Sequence, residues 1–77
     1  MWSEGIIVCP TIGGNYRYWV KYFEEGSQYG INGGKISKLT IRKADGTRDL
    51  CSYDRGWDVE PSDEVRAVYD IILQKYN

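Results

Sequence analysis

The sequence predicts an α+β fold, in which two β-hairpins form a four-stranded antiparallel sheet and one C-terminal helix packs on one sheet face. Two features carry this prediction. Residues 36–43 alternate in side-chain character and are followed by Asp45-Gly46, a pair typical of tight hairpin turns. From Val65 onward the apolar residues recur instead at the spacing of an α-helix. A sheet and a helix make two layers, so one sheet face has no helix to cover it.

The first hairpin is predicted from residues 3–9 and 16–23. Apolar and β-branched side chains in the first segment, and aromatic side chains in the second, favour strands. Pro10 ends the first strand because proline has no N–H to donate to a sheet. Residues 11–15 connect the two strands and contain the glycines and asparagine typical of turns.

A glycine-rich loop joins the first hairpin to the second. Residues 24–35 contain four glycines and predict a long loop with a short turn at residues 29–31. The second hairpin pairs residues 36–43 with residues 47–53. In its first strand, alternation places Ser37, Leu39 and Ile41 on one face. Lys38, Thr40 and Arg42 then lie on the opposite face. The sequence leaves the order of the strands in the sheet open.

The final segment predicts one amphipathic helix over residues 62–76. Its apolar stripe consists of Val65, Val68, Tyr69, Ile72, Leu73 and Tyr76. Ser62 follows Pro61 and is the expected N-cap, while acids in the first turn and Lys75 near the end complement the helix dipole. A single helix covers about one face of a four-stranded sheet, so the other face is either polar or meets a partner. A homodimer is therefore one expectation.

The length of 77 residues predicts a single domain over residues 1–77, because chains divide into several domains only at roughly 250–300 residues. The 42% hydrophobic and 27% charged residues, with a net charge of −1, are typical of a soluble globular domain. No apolar run approaches the ~20 residues that a membrane helix needs. The first residues also lack the charged and apolar regions of a signal peptide. We therefore expect a cytoplasmic protein without a membrane segment.

Several residue types that enzymes and metal sites use are scarce. The chain has no histidine, the commonest general base and metal ligand near neutral pH. Cys9 and Cys51 have no CxxC partner, so we expect two reduced thiols, with a disulfide only if their strands are neighbours. A zinc site would need four ligands. These observations predict that the protein is not an enzyme and holds no cofactor or metal.

A glycine cluster and an acidic cluster could each belong to a chemical site, but each also has a simpler structural explanation. The glycines before Lys35 do not fit a P-loop, because Tyr29 stands where its first glycine belongs and Ile36 follows the lysine. A glycine-rich turn is expected there, with anion binding by backbone N–H groups as the alternative. The acids between Asp54 and Glu64 are too few and too irregular for a calcium loop. They indicate an acidic stretch that caps the start of the helix, and the remote alternative is a small hydrolase that uses these acids for catalysis.

The second predicted strand carries the most distinctive surface. Alternation places on one face Tyr16, Tyr18, Val20 and Tyr22, a suitable core beneath the helix. The other face then carries Arg17, Trp19, Lys21 and Phe23, and Lys38 and Arg42 extend it if the strands align. Cations interleaved with rings are typical of single-stranded nucleic-acid binders, and exposed tryptophan and arginine are typical of protein interfaces. The structural alternative is that Trp19 and Phe23 belong to the core.

Arg55 and Trp57 lie between the last predicted strand and the helix. Gly56 permits an unusual turn there, and Trp57 is large enough to plug the open end of the core. Arg55 stands between two acids that it can pair with, yet tryptophan and arginine are also frequent anchors of interfaces. The candidate binding residues are therefore Arg17, Trp19, Lys21, Phe23, Lys38, Arg42, Arg55 and Trp57.

Four stretches of the chain carry a family resemblance. They are MWSEG (1–5), YWVK (18–21), GSQYGI with GGKISKL (26–39) and YDRGWD with the following Glu60-Pro61 (53–61). With these the chain resembles, over nearly its whole length, a family of short uncharacterised proteins from phages, plasmids and conjugative elements of Gram-positive gut bacteria. Residues 9–15 look like an insertion in that pattern. The resemblance implies a mobile-element context and no catalytic residues.

The expected function is that of a non-catalytic accessory protein that binds a macromolecule, with a protein as the favoured partner. Single-stranded nucleic acid is the alternative, and the ββββα order is similar to that of single-stranded-DNA-binding coactivators at the level of the fold alone. The sequence pI of about 5.3 argues against nucleic acid, because contacts to phosphate supply most of such affinity.

Overall fold

The computed structural model describes residues 1–9 and 14–77, apart from the side chain of Cys9. The chain has the predicted α+β architecture, with an open antiparallel sheet and one C-terminal helix. The strands are β1 (Trp2–Cys9), β2 (Gly14–Tyr22), β3 (Ile36–Lys43), β4 (Cys51–Asp54) and β5 (Trp57–Val59), and the helix is α1 (Arg66–Tyr76). The sheet order is β1-β2-β3-β4-β5, so each strand pairs with the next one along the chain.

The sheet has five strands, and the prediction of four is wrong. The additional strand, β5, lies between the fourth strand and the helix, where the sequence predicts only a connecting segment. Arg55 adopts a left-handed conformation with φ of 56°, which turns the chain back after β4. Tyr53 then pairs with Trp57, and Ser52 with Val59. The φ of Gly56 is not in the left-handed region, so the unusual turn conformation belongs to Arg55 and not to the glycine.

The fourth strand is shorter than predicted, because it begins at Cys51 and not at residue 47. The turn after β3 is closed by a hydrogen bond from the Gly46 N–H to the Lys43 carbonyl oxygen (3.0 Å), so Ala44 and Asp45 are its central residues. The chain returns to the sheet only when the Leu50 N–H donates to the Ile41 carbonyl. The intervening Thr47 and Arg48 are exposed and bury no side chain against the sheet.

The predicted helix is confirmed, but its first turn is different. Residues Asp63–Val65 form a 3₁₀ turn, and the α-helix begins at Arg66. Ser62 occupies the N-cap position of that turn, yet its side chain makes no capping hydrogen bond. The Val65 N–H instead donates to the Ser62 backbone carbonyl (3.1 Å), which tightens the turn and places the fully buried Val65 against the core.

The core lies between α1 and the side of the sheet that faces it. It contains the helix stripe and the predicted inner face of β2, with members Tyr16, Tyr18, Val20, Ile31, Ile36, Leu39, Ile41, Cys51, Tyr53, Val65, Val68, Tyr69 and Ile72. The alternation predicted for β3 is confirmed for Leu39 and Ile41, which are buried in this core, but not for Ser37. The register shifts at the start of β3, where Tyr22 pairs with Ile36, so Ile36 joins the core and Ser37 lies beside Lys21 and Lys38 on the other side. The alternation of the strands and the apolar spacing of the helix therefore identified the sheet face and the helix face that pack together.

The glycine-rich loop folds back on itself and contacts the end of the helix. A turn closed by the Gly30 N–H on the Ser27 carbonyl (3.0 Å) precedes a 3₁₀ turn, Ile31–Gly33, which lies two residues later than the predicted turn at 29–31 and buries Ile31. A side chain at Gly30 would overlap the Gly34 carbonyl, so this close approach of backbone requires glycine. The side-chain amide of Asn77 accepts a hydrogen bond from the Ile36 N–H (3.0 Å) and donates to the Ile31 carbonyl (3.2 Å).

The strand order answers the question of a disulfide. Cys9 ends β1 and Cys51 begins β4, and two strands lie between them. Three strand spacings of about 4.8 Å, and a further four residues along β1, separate their backbones, which is far beyond the reach of a disulfide. Cys51 is a free and fully buried cysteine.

Two expectations from the sequence concern residues 10–13. The end of the first strand at Pro10 and most of the predicted turn at residues 11–15 lie outside the described residues, as does much of the stretch that resembles an insertion. In the part of the chain that is described, no helix combines the length and the apolar character that crossing a membrane requires.

Candidate functional site

The sheet face opposite α1, which we call the open face, carries most of the candidate residues. Strand pairing places its side chains in three rows that cross the sheet: Ile6–Arg17–Arg42, Glu4–Trp19–Thr40–Ser52 and Trp2–Lys21–Lys38–Asp54. The expected alignment of Lys38 and Arg42 with the β2 residues is therefore confirmed. Val8 and Asn15 continue the face at one end, and Phe23 follows β2 at the other.

Trp19 occupies the middle of this face. Its indole is half-buried, on the side of the sheet away from the helix, so the alternative that it belongs to the core is wrong. The guanidinium carbons of Arg17 and Arg42 lie 5.1 Å and 5.5 Å from the centre of its ring. Arg42 also donates from Nε to the Asp49 carboxylate (2.6 Å). Two cations therefore hold the ring in position, and its exposed surface stays available for contact.

A second aromatic and basic group lies at the other end of the face. The Lys21 ammonium is 5.8 Å from the Trp2 ring centre and 5.6 Å from that of Phe23. Lys21 and Phe23 line one shallow depression of about 330 Å³ together with Lys38 and Arg55. Four of the predicted site residues are thus brought together here.

The exposed apolar residues of β1 belong to the same face, and the sequence reasoning missed them. Trp2, Ile6 and Val8 expose 61%, 63% and 66% of their surface, and they stand beside the cations and the indole of β2. Alternation separates them from Ser3, Gly5 and Ile7, but both sets mix apolar with small or polar residues. Only the pairing with β2 shows which set lies on the uncovered side.

Trp57 is separated from the other candidate residues. Its ring packs edge-on against Tyr53 (4.9 Å between ring centres) and contacts Tyr69 of the helix (5.8 Å), so it lies on the helix side of the sheet. Trp57 is therefore not part of the open face, and its ring stays 39% exposed at the edge of the core. Arg55 lies near the Asp54 carboxylate, with 3.8 Å between Nε and Oδ1.

The one described thiol of the chain is that of Cys51, at the start of β4. Burial raises the pKa of the Cys51 thiol to about 12, so this thiol stays protonated and is a poor nucleophile at neutral pH. Among residues 1–9 and 14–77, no three acidic or cysteine side chains converge as metal ligands would. The arrangement is suited to contact through rings and cations on the open face.

The chain matches a known family over its full length. The matching family model is described as a domain of unknown function (DUF7678) and covers residues 1–77. Neither the curated proteins nor the solved structures contain a match to the chain. Since the family model spans the sequence from the first residue to the last, the chain belongs to the DUF7678 family.

Proposed function

We propose that this chain is a non-catalytic accessory protein of a mobile genetic element, which binds another protein through its open face. One observation carries the proposal. Exposed apolar side chains of β1 stand beside the half-buried Trp19 on a sheet face that the helix leaves uncovered. Several large apolar side chains exposed on one uncovered face of a small domain are typical of an interaction site.

The chemistry of the face favours a protein partner. Ile6 and Val8 offer aliphatic surface, which suits the side chains of another protein better than it suits a phosphate backbone. Two of the cations already have acidic neighbours, since Arg42 lies 2.6 Å from Asp49 and Lys38 lies 3.7 Å from Asp54. Tryptophan flanked by arginine is also a frequent centre of protein interfaces.

Single-stranded nucleic acid is the second candidate partner. In the described part of the chain, Arg17 and Lys21 contact aromatic rings and have no carboxylate within ion-pair distance. Rings that accept stacked bases beside cations that accept phosphates are the elements of a single-strand binding surface. This candidate predicts affinity that falls steeply as the salt concentration rises.

The absence of catalysis and the mobile-element origin are supported by the sequence. The chain contains no histidine, and the one described thiol is buried and protonated. The resemblance to short proteins of phages, plasmids and conjugative elements supports the origin. Genes of family members that lie consistently beside replication or transfer genes would agree with it, whereas a scatter among chromosomal housekeeping genes would contradict it.

The test of the binding surface compares two single substitutions. Trp19→Ala removes the central ring of the open face, and Ile71→Ala removes an exposed side chain of α1 on the opposite side of the molecule. Proteins captured from a bacterium that carries a related element are purified, and their affinity for each variant is measured by calorimetry. We expect Trp19→Ala to weaken binding at least tenfold and Ile71→Ala to leave it unchanged.

A parallel titration with a labelled single-stranded oligonucleotide separates the two partner classes. Binding that quenches tryptophan fluorescence and weakens with added salt would favour nucleic acid. The protein proposal fails if Trp19→Ala binds every captured protein as tightly as Ile71→Ala does.

A further inference from the structure

The two edges of the sheet differ in length and in exposure. β5 forms one edge with three residues, whereas β1 forms the other with eight residues. β1 pairs with β2 without a bulge, and no described residue pairs with its outer side. Its segment contains no lysine, arginine or proline, the residues that usually protect an edge from further pairing.

The backbone groups of β1 that point outward can be assigned from one residue pair. The Met1 amino group donates to the Tyr22 carbonyl (2.8 Å), and the Tyr22 N–H donates to the Met1 carbonyl (2.9 Å). Hydrogen-bonded and non-hydrogen-bonded pairs alternate along an antiparallel ladder. Ser3, Gly5 and Ile7 therefore bond to β2. The N–H and C=O groups that point to the free edge are those of Trp2, Glu4, Ile6 and Val8.

We propose that two copies of this chain associate through β1, which pairs antiparallel with β1 of the second copy about a two-fold axis at Gly5. The product is one continuous sheet with five strands from each copy. Because the axis is perpendicular to the sheet, both helices lie on the same side. The two open faces then merge into a single surface, so the proposed partner site is doubled and remains accessible.

The register follows from the pattern of outward-pointing groups. With Gly5 on the axis, Trp2 faces Val8 of the second copy and Glu4 faces its Ile6. All four outward residues then meet outward residues, which gives about eight backbone hydrogen bonds, two for each hydrogen-bonded pair. A shift of two residues in either direction leaves one outward residue of each copy unpaired. The edge of β1 is thus complementary to itself in one register.

The side chains at this junction also fit a second copy. Trp2 against Val8 is an aromatic and β-branched pair, a combination that stabilises neighbouring strands. Gly5 lies at the crossing, where the two Cα atoms approach to about 4.5 Å, and brings no side chain to this close contact. Ile6 lies between Arg17 of its own copy and Glu4 of the second copy. The backbones of these two charged residues are two strand spacings apart, about 10 Å. The two long side chains, opposite in charge, can meet over Ile6.

The test uses a substitution that removes an outward N–H and no bond of the existing sheet. Ile6→Pro deletes the N–H of an outward residue, and proline is tolerated on an edge strand. Ile6→Ala is the matched control, because it shortens the same side chain and keeps the N–H. Sedimentation from about 10 µM to 1 mM should show the native chain and Ile6→Ala passing from 8.9 kDa to twice that mass. Ile6→Pro should weaken association at least tenfold while its circular dichroism stays native.

A second measurement needs no variant. In amide hydrogen exchange, Ser3, Gly5 and Ile7 should be protected at every protein concentration because their N–H groups bond to β2. The outward N–H groups of Glu4, Ile6 and Val8 should become protected only as the concentration rises. A native chain that stays monomeric at 1 mM would overturn the proposal. A dimer that survives Ile6→Pro, or one that is lost only in Trp19→Ala, would overturn it equally.

Discussion

The phenol oxygens of Tyr18, on β2, and Tyr76, at the end of α1, lie 2.9 Å apart beneath the sheet. Tyr76 also meets the Ser3 hydroxyl (3.1 Å), so one side chain of the helix ties together β1 and β2. Burial, together with the hydrogen bond to Tyr76, raises the pKa of Tyr18 to about 12. Burial alone would raise the pKa of Tyr76 too, but hydrogen bonds with Ser3 and Tyr18 and the nearby Lys75 lower it. Tyr18 therefore keeps its proton at neutral pH, and either phenol can be the donor of the hydrogen bond between them.

Tyr76→Phe should lower the free energy of unfolding by about 1–3 kcal/mol, because it leaves the buried Tyr18 hydroxyl without this partner. Urea unfolding followed by circular dichroism measures the change. Tyr29→Phe is the control, since the Tyr29 side chain is mostly exposed and the same oxygen is removed. Equal stabilities of the two variants would show that the contact between Tyr18 and Tyr76 contributes nothing.

Gly5→Ala should destabilise the monomer by about 1–3 kcal/mol, because the Tyr18 ring lies across this glycine. An added Cβ would stand 2.7 Å from the Tyr18 hydroxyl oxygen and 2.9 Å from the ring carbons. Gly46→Ala is the matched control, because its Cβ would meet only Lys43 at 3.4 Å, a contact that needs little adjustment. Unfolding at low concentration keeps self-association out of the comparison, and a native-like stability of Gly5→Ala would contradict the expectation.

The Cys51 thiol should resist modification in the folded protein, because it is fully buried and protonated. In a Cys9→Ser background, a thiol reagent at pH 8 should react at least tenfold faster in urea than in buffer. Equal rates would show that Cys51 is accessible.

Alkaline pH should destabilise the fold. An unfolded thiol loses its proton near pH 9.0, whereas burial raises the pKa of Cys51 to about 12 in the folded state. Burial also raises the pKa of Tyr69. The unfolded chain therefore releases protons that the folded chain retains, and the free energy of unfolding falls as the pH rises from about 9 to 12. Cys51→Ser should make this decline shallower in denaturant titrations, and an unchanged slope would contradict the assignment.

Asn77→Ala should lower the free energy of unfolding by about 1–3 kcal/mol, because both hydrogen bonds of the side-chain amide are lost. The Ile36 N–H should then exchange faster with solvent, since Asn77 Oδ1 is its acceptor. Asn15→Ala, at an exposed position of β2, is the control and should leave both quantities nearly unchanged. If the two variants behave alike, the amide of Asn77 does not connect the helix to the loop.

The faces of the central strands could be predicted because each depends on a local period. Val20 is fully buried and Trp19 is not, as alternation requires, and the helix buries Val68 and Ile72 as its spacing requires. The fifth strand could not be predicted in this way. It depends on the left-handed conformation of Arg55, whose N–H donates to the Ser37 carbonyl of β3. A contact between residues so distant in sequence leaves no periodic signal.

The amino-acid sequence by itself determined which side chains share a face, where the helix lies, and which chemistry is scarce, because period, turn residues and composition are local properties. Only the tertiary structure decided the order of the strands, the position of β1 at an edge and the place of Ile6 beside Arg17. These depend on which segments meet across the sheet. Strand pairing is set by the summed burial and hydrogen bonding of distant residues, and a single stretch of sequence does not contain that sum.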